Sequence, residues 1–121
     1  MVMVMTNYPR TARINDLIRA ELSDLLRRKV KDPRVASVSV TAVSTTPDFG
    51  QARIMISLLE PAAETLALAG LNRAAGFLRG ELGRRLRLKK VPTLLFEVDQ
   101  TVEEAARLQR LLDSLEEEGP S

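Results

Sequence analysis

The 121-residue chain contains no cysteine, no histidine and no tryptophan, and aromatic residues make up only 3% of it. Without cysteine there are neither disulfides nor thiolate metal sites. Without histidine the commonest metal ligand is missing, together with the side chain that titrates near neutrality unaided, so histidine-based triads and ordinary zinc sites are excluded. Tyr8, Phe49, Phe77 and Phe96 are the only aromatics. Base recognition by extended stacking is therefore not expected, and Phe77 and Phe96, set among apolar neighbours, read as core. No apolar run approaches the roughly 20 residues of a membrane span. The opening Met1 to Met5 is too short for a signal-peptide core, and Tyr8, Pro9 and Arg10 follow soon after. A cytoplasmic location is the expectation.

Apolar residues make up 45% of the chain and charged residues 28%, a balance suited to one compact domain. The formal net charge of +2 hides an asymmetry. Residues 1–90 hold sixteen Lys and Arg against eight Asp and Glu, whereas residues 91–121 hold two against eight. A basic body with an acidic end points to a polyanionic partner, against the plainer alternative of a solvated surface.

Hydrophobic periodicity places a helix from Thr11 to Lys29, with Ile14, Leu17, Ile18, Leu22, Leu25 and Leu26 on one face. Thr11 or Asn15 is a candidate N-cap. Asp32-Pro33 stops this helix. Two alternating runs follow, Val35 to Val43 (Val38, Val40 and Ala42 on one face) and Gln51 to Leu59 (Ala52, Ile54, Ile56 and Leu58). Between them Thr46-Pro47-Asp48-Phe49-Gly50 supplies turn chemistry, so the pair forms a hairpin. Glu60-Pro61 opens a second helical stretch carrying Leu68, Leu71, Ala75, Leu78, Leu82 and Leu86. Gly76, Gly80 and Gly83 interrupt it, each costing about 1 kcal/mol relative to Ala, which favours two helices meeting at a kink. Thr93 to Val98 reads as a third strand. Thr101 to Leu115 is a last helix whose start matches a capping box from Thr101 to Glu104, with an apolar face of Val102, Ala105, Leu108, Leu111, Leu112 and Leu115. The expected fold class is α+β: three strands covered by helices on one face. Residues 10–115 form the domain, and residues 1–9 and 116–121 are expected to be loose ends.

The strongest functional signal runs from Arg73 to Lys90. Arg73, Arg79, Arg84, Arg85, Arg87, Lys89 and Lys90 are opposed there by Glu81 alone. Guanidinium groups bind phosphate bidentately, and this imbalance is not ordinary helix patterning, so the stretch is the candidate RNA-binding surface. Gly80-Glu81-Leu82-Gly83 fits the GxxG clamp of KH domains. However, Leu78, Leu82 and Leu86 hold helical phase through it and its acidic residue would repel phosphate, so it reads as helix interior. Glu97 and Asp99 alternate onto one strand face and form a possible acid–base or magnesium pair. No nucleophile, phosphate loop or third ligand accompanies them, and a solvated strand face is the better reading. Asp32-Pro33-Arg34 likewise reads as a turn. No catalytic residue, metal or cofactor is expected.

From Arg10 to Leu115 the chain resembles the bacterial ribosome-binding factor A family. The resemblance is carried by Arg10 and Arg13, Lys31-Asp32-Pro33-Arg34, Val38 to Val43 with Ser44 through Asp48, Leu71-Asn72-Arg73-Ala74-Ala75-Gly76-Phe77-Leu78-Arg79, and Leu88 with Pro92, Leu94, Phe96 and Asp99. It implies a type II KH-like domain in which an Ala-x-Gly helix kink, here Ala74-Ala75-Gly76, replaces the GxxG clamp. It further implies a non-catalytic, monomeric factor without cofactors. Such a factor binds the free small ribosomal subunit and its RNA, assists late maturation including 5′-end processing, and is associated with cold adaptation. Arg79, Arg84, Arg85, Arg87, Lys89 and Lys90 would face ribosomal RNA. The connection from Glu60 to Thr65 is short and lightly charged for the family, and the tail after Leu115 is brief. A protein–protein adaptor using the sheet or the acidic last helix is the alternative.

Overall fold

The computed structural model describes residues 10–117. Helix α1 spans Arg10–Arg28 and is followed by a 3-10 turn at Pro33–Val35. Strands β1 (Val38–Thr45) and β2 (Gln51–Leu58) come next, then a second 3-10 turn at Pro61–Ala63. Helix α2 (Glu64–Leu86), strand β3 (Thr93–Val98) and helix α3 (Gln100–Glu117) complete the order. The expected loose ends at 1–9 and 118–121 lie outside the described residues, and Glu116 and Glu117, expected in the tail, belong to α3.

The sheet has the order β1-β2-β3, antiparallel between β1 and β2 and parallel between β2 and β3. A parallel pair needs a long crossover, and α2 provides it. Helices α1 and α2 cover one face of the sheet. From α1 come Ile18, Leu22, Leu25 and Leu26; from α2 come Leu71, Leu78 and Leu82; all are buried. The sheet answers with paired rows, Val43 beside Ile54 beside Phe96 and Val40 beside Ile56 beside Val98. Each fully buried aliphatic side chain stabilises by about 1.5–3 kcal/mol relative to exposure, so this layer holds the domain together.

Strand β1 departs from simple alternation. Its register slips between Val40 and Ala42. Thr41 is the extra residue of a bulge, and a one-residue slip moves every later side chain to the other face. Val43 and Thr45 therefore point inward and Ala42 is exposed, opposite to the face expected for it. The Thr41 hydroxyl lies 3.2 Å from the Met55 carbonyl oxygen and 3.1 Å from Asp99 Oδ2, which gives the bulge polar partners. Helix α1 is already formed at Arg10, so Thr11 and Asn15 lie inside it and neither is an N-cap. Asn15 instead accepts the Thr45 backbone N–H through Oδ1 at 3.0 Å, tying α1 to the edge strand.

The stretch expected to hold two helices forms one uninterrupted helical run from Glu64 to Leu86, through Ala74, Ala75 and Gly76. Its buried face against the sheet outweighs the cost of interior glycines, since tertiary packing overrides propensity. Gly80-Glu81-Leu82-Gly83 is helix interior, with Leu82 buried. At the start of α3, Asp99 Oδ1 accepts the Thr101 N–H at 3.1 Å, so the cap falls two residues before the predicted one. Leu108, Leu111, Leu112 and Leu115 of α3 are all exposed. The covered sheet face is already occupied by α1 and α2, and these leucines of the expected apolar face stay open; Val102, also expected there, lies outside the residues whose side chains are described.

Candidate nucleic-acid interface

The seven cations between Arg73 and Lys90 are divided by the geometry of α2 and its exit. Residues 73, 77, 80 and 84 are spaced four, three and four apart and so share one side of the helix. Arg73, Phe77, Gly80 and Arg84 are all exposed there. Gly76 leaves bare backbone beside this ridge, since a Cβ there would meet nothing within 4 Å, whereas the Arg84 guanidinium lies 3.8 Å from the Cβ position of Gly80. The helix ends at Arg87, which adopts a left-handed conformation (φ 53°) and donates its N–H to the Gly83 carbonyl. This C-cap turns the chain so that Arg87, Lys89 and Lys90 stand exposed beside the end of the ridge. Lys90 Nζ donates to the Asp48 carbonyl of the hairpin turn at 3.2 Å, which brings that turn to the same end of the molecule. Arg73 and Arg87 are about 21 Å apart along the helix axis at 1.5 Å per residue.

Two of the seven do a different job. Arg85 Nη1 donates to Glu21 Oε2 at 2.9 Å and to Asp24 Oδ2 at 2.8 Å, both on α1, and its side chain is only 26% exposed. Donating to Asp24 and Glu21 raises the Arg85 pKa, and the same Arg85–Asp24 bond holds the Asp24 carboxyl below its usual range. The expectation that Arg85 faces RNA is corrected: it clamps α2 to α1. It lies off the Leu78 and Leu82 face, as its position implies, but the neighbouring helix supplies carboxylates that sequence spacing does not reveal. Arg79 donates from Nε to the Pro92 carbonyl at 3.1 Å and from Nη2 to the Val91 carbonyl at 2.9 Å, and so braces the connection into β3. Arg84 pairs with Glu81 at 2.6 Å but keeps 69% of its side chain exposed, leaving its other donors available. Hydrogen bonding from Arg84 depresses the Glu81 pKa. Arg73, Arg87 and Lys89 have no ion-pair partner among the described residues.

Three members of this surface were not among the predicted contacts. Lys29 and Lys31, just past α1, line the same shallow pocket as Arg73 and Phe77. Phe77, expected in the core, is 46% exposed, because Leu78 next to it takes the buried position on α2. The usable signal was phase: Phe77 sits one turn after Arg73 and not on the Leu71, Leu78 and Leu82 row. Asp32 beside them is neutralised locally. Arg34 Nε lies 3.0 Å from both Asp32 oxygens and Nη2 lies 2.6 Å from Oδ2, and the Arg34 backbone N–H adds a bond at 2.9 Å. These bonds hold the Asp32 carboxyl down to about 2.

Of the two carboxylates expected on one strand face, only Glu97 lies within β3, Asp99 follows its end, and both are engaged elsewhere. Glu97 Oε2 accepts from Arg53 Nε at 3.0 Å and from Nη2 at 2.5 Å, and Asp99 caps α3 and meets Thr41. Among the described residues, no group of three or more acidic side chains is placed to hold a metal ion. Among the described residues, no helix is long and apolar enough to cross a membrane.

The class defined by this arrangement is a small KH-like α+β domain with a cationic ridge on the outer side of its crossover helix. The chain belongs to the ribosome-binding factor A family, whose sequence model matches residues 10–112. Ribosome-binding factor A of Syntrophobacter fumaroxidans is 43% identical over 111 residues, covering 89% of this chain and 95% of that protein. The factor of Azoarcus sp. is 45% identical over 107 residues, covering 88% and 85%. Among solved structures, the crystal structure of the Thermus thermophilus factor superposes with a TM-score of 0.67 at 26% identity, over 75% of this chain and 97% of that one. A homology model of the Thermus thermophilus factor, fitted into a cryo-EM map of its complex with the 30S subunit, superposes with a TM-score of 0.52 at 27% identity, covering 69% and 93%.

Proposed function

We propose that this chain is a non-catalytic assembly factor that docks on the free small ribosomal subunit through its RNA and assists late maturation, including 5′-end processing of that RNA. The observation that carries the reading is the exposed cationic ridge of Arg73, Arg84, Arg87, Lys89 and Lys90 along α2 and its exit. Guanidinium and ammonium groups at helix spacing match phosphates along a folded RNA backbone, and the body that holds them selects a shape rather than a sequence. Family membership supports the partner: a relative of the same fold has been placed on a 30S subunit. The factor acts as a monomer in the cytoplasm, without a cofactor, and its domain spans residues 10–115.

The test is charge reversal on the ridge. The double variant Arg73→Glu, Arg84→Glu keeps the thermal unfolding of the parent, since neither side chain enters the core or ties two helices together. It loses most of its affinity for isolated small subunits. Parent-like binding by that variant would remove the ridge from the interface. In cells depleted of the chain, small-subunit RNA with unprocessed 5′ ends accumulates; normal ends there would confine the protein's role to binding.

A second reading has its own observation. The open face of Leu108, Leu111, Leu112 and Leu115 on α3 suits an apolar protein partner, and binding through it would show little dependence on salt.

A further inference from the structure

We propose that Phe77 forms the floor of a subsite for one unstacked RNA base, with Lys29, Lys31 and Arg73 arranged to hold the phosphates on either side of it. The inference rests on the ribosomal RNA reading above and names what the pocket beside the ridge is for.

The geometry begins with α2. Gly70, Arg73, Ala74 and Phe77 recur at three- and four-residue steps and form a stripe that faces the end of α1. Across from it stand Lys29, Val30 and Lys31, and the space between is a concavity of about 280 Å³. It is a shallow, open depression just below the roughly 300–1,000 Å³ of ordinary small-molecule sites, with room for one flat ring system. The stripe carries small residues at Gly70 and Ala74, which leave room beside Phe77. Gly70 cannot be enlarged freely: a Cβ there would stand 3.0 Å from Val35 Cγ1 and 3.2 Å from Arg34 Cβ.

The chemistry of the lining selects the occupant. Phe77 is one of only four aromatic residues in the chain, and it is 46% exposed while its neighbour Leu78 is fully buried. An exposed phenyl ring on a surface otherwise built of cations contributes nothing to solubility and little to the core. A nucleobase stacks on it face to face without regard to sequence, since every base has a π-face. Lys29, Lys31 and Arg73 have no ion-pair partner among the described residues, so three cations are free for phosphate around one aromatic face. The single carboxylate, Asp32, is held ionised and matched by Arg34, which lowers its repulsion of an incoming phosphate. Single-stranded loops, bulges and ends of RNA present splayed bases of this kind, whereas a regular A-form helix does not. The pocket therefore takes an unpaired nucleotide next to the helical RNA that the ridge follows.

The test uses the full chain with isolated small ribosomal subunits. Phe77→Leu keeps an apolar side chain but removes the flat π-face, and is expected to weaken binding about tenfold, within the range that stacked bases contribute. Phe77→Tyr restores parent affinity. Because Phe77 is uncharged, Phe77→Leu leaves the slope of log affinity against log salt unchanged, whereas Lys31→Ala and Arg73→Ala each lower that slope by about 1. The chain has no tryptophan, so Phe77→Trp adds a single reporter whose emission protein-free small-subunit RNA should quench. Parent-like affinity of Phe77→Leu, or unquenched Phe77→Trp emission with the RNA bound, overturns the stacking subsite and leaves the ribosomal reading standing. A parent chain that fails to bind the subunit overturns both.

Discussion

Arg85 and Arg84 are neighbours in sequence, carry the same charge and do opposite work. Arg85 turns inward to Glu21 and Asp24, whereas Arg84 leaves most of its length in solvent. Reversing Arg85 to Glu sets it against two carboxylates of α1 and lowers the thermal midpoint clearly; Arg84→Glu leaves it nearly unchanged while weakening RNA binding. Equal melting of the two variants would contradict the assignment. The sequence identified the cationic cluster but not this division, because the carboxylates that claim Arg85 are more than sixty positions away. Phe77 was misread for a related reason. Its apolar neighbours in sequence are buried on the other side of the helix, and only the helical phase separates it from them. Carboxylate pairing also sets the acid limit. Asp32, Asp24 and Glu81 all have folded pKa values below their ordinary ones, through bonds from Arg34, Arg85 and Arg84. A depressed carboxylate pKa contributes stability that is present above the unfolded value, near 4, and is lost as pH falls through the folded value, about 2 for Asp32. Thermal melts should therefore decline as the pH drops from about 4 toward 2. Asp32→Asn should flatten part of that decline; an unchanged decline would remove Asp32 as a contributor.

At the scale of elements, the order of helices and strands was legible almost throughout, because the period of the apolar residues switches cleanly between 3.6 and 2. What escaped was local interruption. Thr41 adds one residue to β1 and reverses the inward face after it, a change that alternation counting cannot see without the partner strand. The continuous α2 was hidden by its glycines, which lower intrinsic helix propensity but not the packing of Leu71, Leu78 and Leu82. Gly76 and Gly83 now make a contrasting pair. A Cβ on Gly76 meets open space, so Gly76→Ala should raise stability by about 0.5–1 kcal/mol. A Cβ on Gly83 would stand 2.8 Å from Val91 Cγ2, so Gly83→Ala should lower it. Denaturant titration of both variants decides the matter, and a stabilising Gly83→Ala would contradict the close approach of α2 to the β3 connection. Should Gly76→Ala stabilise the chain yet weaken subunit binding, bare backbone beside the ridge is used by the RNA.

For the molecule as a whole, charge and structure divide along the same line. Most of the basic residues gather on α2, its exit and the end of α1, and the acidic segment 91–121 includes a helix that leaves its leucines uncovered. On the reading proposed above, the basic surface meets RNA and the α3 leucines take no part in that contact. The central claim, that docking is electrostatic contact with ribosomal RNA, is tested most directly by the affinity for isolated small subunits across a salt series. With six or so phosphates engaged, affinity falls linearly on logarithmic axes, by roughly 10³–10⁵-fold between about 50 and 200 mM. Affinity that stays level across that series would contradict it and transfer the interface to the apolar face of α3.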